Sequence, residues 1–272
     1  MKILVAADME GVAGVVDWDH VDPGHSEYAR FRRLMTAEVN AAVRGAYEAG
    51  AETVLVADGH AHGRNILIEE LDPRARLHSG SPSPLGMVAG VENGVDGALF
   101  VGYHARAGTE MAILDHTWSS RRVANLWLNG DLAGETALNA ALCGHFDVPV
   151  LMVSGDGAVC EEAHELLGEI ETAVVKEATA RSAASCLAPE AAQERVYEAA
   201  RRAVTRLQEG DVPDVFRIGL LVTLTLEFPD SGMADRAALL PGVEREGRRI
   251  SYSAEDMVTA FKAMRSALAL AG

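Results

Sequence analysis

Three apolar runs in this 272-residue chain end in side chains able to bind a cation. KILVAA stops at Asp8-Met9-Glu10-Gly11, TVLVA at Asp58-Gly59-His60-Ala61-His62, and GALFV at Gly102-Tyr103-His104. Residues i and i+2 of an extended chain project to the same side, so Asp8 and Glu10 can share one site. Carboxylates and imidazoles without thiolate suit zinc, manganese or cobalt. A bridging carboxylate would hold two ions about 3.5–4 Å apart, the arrangement that activates water and polarises a carbonyl or phosphoryl oxygen. Hydrolysis is the chemistry that such a set supports.

Two further groups belong to the inventory. Glu135 follows Gly134 at the start of a helical segment, where it is either a ligand or a favourable charge at a helix N-terminus. Asp115-His116-Thr117-Trp118 occupies a loop, and His116 is either structural or a base or nucleophile beside the metals. His62 reads as a surface or supporting residue. Arg106 would either bind a substrate carboxylate or pair with a nearby acid. His20, His25, His78, His145 and His164 have no evident partners.

The elements that must position these groups alternate in type through the first half of the chain. Strands are expected at 2–7, 53–58, 97–104 and 148–155. Helices are expected at 26–49 (capped by Ser26 and stopped by Gly50), near 65–71 and at 135–146, with an Asn-Gly hairpin at 123–134. Such alternation implies an α/β fold with a largely parallel sheet flanked by helices, in which ligands sit beyond the carboxyl ends of the strands. A helix near 189–208, a strand at 217–228, a short helix at 230–240, a strand at 248–253 and a terminal helix at 254–270 capped by Ser253 suggest a smaller α+β C-terminal segment. The expected division is 1–180 for the metal-binding catalytic domain and 181–272 for the second, or one intimately packed unit.

Acidic residues outnumber basic ones 40 to 24, a formal charge of −16, which disfavours nucleic acid and anionic membranes as partners. Arg30-Phe31-Arg32-Arg33 is therefore read as a solvated helix face. Cys143, Cys160 and Cys186 form neither a disulfide framework nor a thiolate cluster. The apolar stretch at the start is too short for a signal peptide, and no stretch approaches the roughly 20 residues of a membrane span. A cytoplasmic protein is expected. P-loop, G-x-S-x-G and H-E-x-x-H motifs are absent.

Taken together, D-M-E-G at 8–11, D-G-H at 58–60, G-Y-H-A-R at 102–106, D-H at 115–116 and G-E-x-x-L-N-A at 134–140 resemble the M55 family of metallopeptidases. The likeness continues through D-V-P-V-L-M-V-S-G-D at 147–156, R-S-A at 181–183 and L-P-G at 240–242, spanning essentially the whole chain. It implies a dinuclear zinc site with Asp8 bridging, completed by Glu10, His60, His104 and Glu135, and His116 as the catalytic histidine. It further implies an aminopeptidase for short peptides with N-terminal D-residues, assembled as a homodecamer. Two other readings compete: a two-metal amidase or phosphoesterase for another small substrate, and a non-catalytic peptide-binding protein.

Overall fold

β1 (Lys2–Ala7) buries side chains on both faces, as a continuous apolar run in a parallel sheet must. Ile3, Val5 and Ala7 join one core, and Leu4 and Ala6 join the other. The computed structural model describes residues 1–272. After β1 come α1 (Tyr28–Glu48), β2 (Thr53–Asp58), β3 (Arg76–His78), β4 (Gly97–Val101) and a hairpin of β5 (Asn125–Leu128) and β6 (Asp131–Leu132). Then follow α2 (Glu135–His145), β7 (Val150–Asp156), α3 (Gly157–Leu167), β8 (Glu171–Ala180), β9 (Ala183–Cys186) and α4 (Pro189–Glu209). β10 (Val222–Glu227), α5 (Ser231–Ala237), β11 (Glu244–Glu246), β12 (Arg249–Ala254) and α6 (Met257–Ala271) complete the chain.

Seven strands form one sheet in the order β3-β2-β1-β4-β7-β8-β9, parallel throughout except for the β8–β9 hairpin. The chain runs outward from β1 to β2 and β3, then returns to place β4 on β1's other side. This reversal is the switch point where α/β sheets place ligands. Register brings the expected site together there: Ala7 pairs with Asp58 on one side and Val101 on the other. Asp8, His60 and His104 therefore leave the sheet at adjacent corners.

The second sheet is antiparallel, in the order β11-β12-β10-β5-β6. Its inner residues Leu126, Leu224, Leu226 and Ile250 share one core with Leu4, Phe100 and Tyr103 of the first sheet. Segments of the two sheets interleave along the chain: hairpin β5–β6 belongs to the second, while α4 packs against α1 on the first.

Several local expectations are corrected. Residues 65–71 form turns rather than a helix, because the amides of Asn65 and Ile66 donate to the Asp58 carboxylate and that of Leu67 to Thr36 Oγ1. Glu27, without a side-chain hydrogen bond, occupies the cap position expected for Ser26. Asp256, accepting from Thr259 N, replaces Ser253 at α6, and β10 starts at Val222 rather than at 217. The elements α3, β8, β9 and the short strands β3 and β11 lie outside the expected set. No helix is long and apolar enough to cross a membrane.

Candidate metal centre

Beyond β1 the chain turns so tightly that Gly11 lies against β4's exit. Its N–H donates to Gly102 O at 2.8 Å, and a Cβ there would collide with the Tyr103 carbonyl. Gly102, at φ +74°, makes the reciprocal approach to Asp8 O. Six polar side chains meet at this corner, all buried: Asp8, Glu10, His60, His104, His116 and Glu135.

Asp8 sits between two imidazoles. Its Oδ1 is 3.3 Å from His60 Nδ1, and its Oδ2 is 3.5 Å from His104 Nε2. Glu10 Oε2 is 3.0 Å from His60 Nδ1, and Glu135 Oε1 is 3.1 Å from His104 Nε2. His116 Nε2 closes the ring, 3.8 Å from Glu135 Oε1 and 4.0 Å from Glu10 Oε1. Ligand atoms of Asp8, Glu10 and His104 lie within 4.8 Å of one another, as do those of His104, His116 and Glu135.

Backbone carbonyls orient each imidazole. His60 Nε2 lies 2.9 Å from Val21 O, His104 Nδ1 3.0 Å from Ala105 O, and His116 Nδ1 2.9 Å from Leu114 O. A nitrogen facing a carbonyl carries the hydrogen, so the other nitrogen presents its lone pair to the carboxylates, the tautomer a metal ligand needs. His104 Nε2 is buried without a hydrogen bond although Glu135 Oε1 is 3.1 Å away. Two acceptors held that close need a proton or a metal cation between them, and imidazoles with carboxylates fit zinc.

The electrostatics agree. Burial and the neighbouring Glu10 push Asp8 up to about 7. Burial alone would push Glu10 up as well, but His60 holds it well below the usual carboxylate range. His60 and His104 are buried, yet the surrounding acids raise both, His104 to about 10. His116 moves the opposite way, lowered by burial and by the charge of His104. With no cation bound the acids hold a proton on His104, whose place a metal would take, while His116 stays neutral.

All six site residues read from the sequence thus converge. His62 is exposed at the rim of the cavity. Arg106 lies elsewhere: its backbone N–H donates to Glu162, and the side chain does not line the cavity. Asn139, one turn along α2, donates to Tyr103 Oη rather than to the centre.

Sequence reasoning missed the braces. Lys176 is buried on β8 at a bulge and donates to Glu10 O, Val12 O and Val15 O at 2.5, 2.9 and 2.8 Å, gripping the loop that carries both acids. Its signal is a lysine inside the apolar stretch AVVKEA. Asp156 caps α3 and also accepts from Ile113 N, while Arg181 holds both Oδ1 and the carbonyl of Asp115. Together with Trp118 N donating to Glu135 Oε1, these contacts fix the loop carrying His116. They give a role to the S-G-D and R-S-A motifs.

The centre floors a cavity of about 410 Å³ whose walls include Trp118, Ser119 and Arg265. The M55 peptidase family model, described as D-aminopeptidase, matches residues 1–266. A D-aminopeptidase of Bacillus subtilis (strain 168) is 38% identical over 266 residues, covering 97% of this chain and 95% of that protein. The solved structure of the Zn-dependent D-aminopeptidase DppA from Bacillus subtilis, described as a self-compartmentalizing protease, matches with a TM-score of 0.95 at 38% identity, covering 100% of this chain and 98% of that one. Family, fold and the polar ring at the switch point coincide, and this chain belongs to the M55 family of peptidases.

Proposed function

We propose that this peptidase is a zinc-dependent D-aminopeptidase that removes N-terminal D-residues from short peptides. The observation that carries the reading is Asp8 between His60 and His104, one carboxylate oxygen toward each. Asp8 would bridge two zinc ions, with Glu10, His60, His104 and Glu135 as the other ligands. Bound zinc supplies Lewis acidity at the scissile carbonyl.

The protein's own groups do the rest. His116 Nε2 accepts the proton of the attacking water and returns it to the departing amine, while Leu114 O holds the opposite nitrogen as the donor. Trp18 packs edge-on against His116 at 5.2 Å, limiting ring rotation and excluding water from one flank. The same reading extends to a cytoplasmic homodecamer; the likeness to a relative described as self-compartmentalizing supports an assembly of several copies.

A substrate panel on zinc-reconstituted protein tests this. D-Ala-D-Ala should be cleaved far faster than L-Ala-L-Ala, amino-acid amides and phosphoesters. Faster turnover of a phosphoester, or no cleavage of any D-peptide, overturns the proposal.

A further inference from the structure

The mouth of the cavity carries arginines, where its floor carries the carboxylates of the metal centre. Arg121, Arg122 and Arg265 line it, in a chain where acids outnumber bases 40 to 24. Even so, none of the three forms an ion pair. Arg265, on α6, is partly buried, and no acid compensates the burial that lowers its pKa. One of its nitrogens, Nη1, donates to Ser83 O, and the guanidinium lies 5.8 Å from the Phe261 ring and 6.0 Å from the Trp118 ring. Arg122 directs Nε to Ser119 Oγ at 3.4 Å and Nη1 to Leu268 O at 3.3 Å. Each guanidinium has five N–H donors, so both are anchored and both retain unused donors. Arg121 is exposed and opens onto a neighbouring cavity as well.

We propose that Arg265, with Arg122 beside it, binds the C-terminal carboxylate of the peptide, making the enzyme selective for free-acid di- and tripeptides. The inference rests on the aminopeptidase reading above. It assigns polarity to the cavity: the peptide's amino end toward the metal centre on the floor, its carboxylate toward the arginines at the mouth. Two extended residues span about 7 Å, and a cavity of about 410 Å³ is small among ligand sites. A fixed guanidinium is also suited to a two-pronged contact with a planar carboxylate. The substrate-carboxylate role considered for Arg106 from sequence therefore passes to residues that the fold brings in from α6 and the loop before β5.

The test compares kcat/KM for D-Ala-D-Ala and for its C-terminal amide, scored at the internal peptide bond. Wild type should prefer the free acid by about 10- to 100-fold, the range for a hydrogen bond to a charged group. Arg265→Gln should bring that ratio close to one, chiefly through KM, Arg265→Lys should retain part of it, and Arg122→Gln should reduce it less. Equal turnover of acid and amide by wild type overturns the inference, and this comparison does not depend on any variant folding. A fall of both substrates by the same factor in Arg265→Gln also overturns it. Wild-type protein that cleaves neither peptide refutes the aminopeptidase reading itself, a distinguishable result.

Discussion

The imidazoles of His104 and His116 lie face to face, ring centroids 4.0 Å apart and planes 11° from parallel. Two stacked rings at that distance do not both carry charge at low cost. His104, enclosed by Glu135, Asp8 and Glu10, is the ring that takes up a proton or a bound cation, and His116 is left neutral with Nε2 toward the cavity. His116→Ala should therefore keep its metal while losing about 10²- to 10⁴-fold in kcat, the usual worth of a general base. Undiminished turnover with normal metal content contradicts that role.

Asp8 faces both histidines, so its loss should affect both proposed ions. Asp8→Ala should lose most of its metal and its hydrolysis, by elemental analysis after dialysis and by D-Ala-D-Ala turnover. Full metal occupancy in that variant contradicts the bridging role.

The His116 loop depends on Asp115, which Arg181 clamps through Oδ1 at 2.6 Å and the backbone carbonyl at 2.8 Å. Arg181→Gln should lower kcat by about 10- to 100-fold while metal content stays normal, the scale of losing an outer partner or displacing a base by about 1 Å. Loss of metal without loss of kcat per bound metal would place Arg181 in the wrong part of the machinery.

Beneath the acidic loop, Glu38 Oε1 accepts from Ala13 N and Oε2 is buried without a partner. Burial raises Glu38 from 4.5 to about 7. Between these values the unfolded chain releases a proton that the folded protein keeps, so stability falls as pH rises through the window, by about 3 kcal/mol at most. Glu38→Gln removes this titration. Its Tm relative to wild type should climb from about pH 4.5 to about pH 7 and level off above; a difference that shrinks as pH rises contradicts the assignment. Lys176→Met, which strips three carbonyls of their donor, should destabilise by about 3 kcal/mol or more by denaturant titration.

The site was legible because parallel strands deliver their C-terminal residues to one edge, so Asp8, His60 and His104 could be grouped without knowing the strand order. Glu135 and His116 were open on spacing alone, since each arrives from a loop or helix start whose path depends on tertiary contacts. Their placement rests on Trp118 N bonding Glu135 and on Asp156 and Arg181 holding residues 113–115. Lys176 was invisible for a related reason: a lysine in a strand reads as solvent-facing until the β7–β8 bulge turns it inward. At 65–71, apolar spacing of helical type lost to the Asp58 carboxylate, which takes the amides that a first helical turn would expose. The C-terminal segment was readable in its elements, but the interleaving of the hairpin 125–132 into its sheet is a long-range pairing with no local signal.

The most direct measurement titrates chelator-stripped protein with zinc and follows bound metal and D-Ala-D-Ala hydrolysis together. The account predicts that activity is absent without metal, rises with occupancy and saturates at about two ions per chain. Hydrolysis by metal-free protein, or zinc bound at full stoichiometry with no cleavage of a D-peptide, would contradict it.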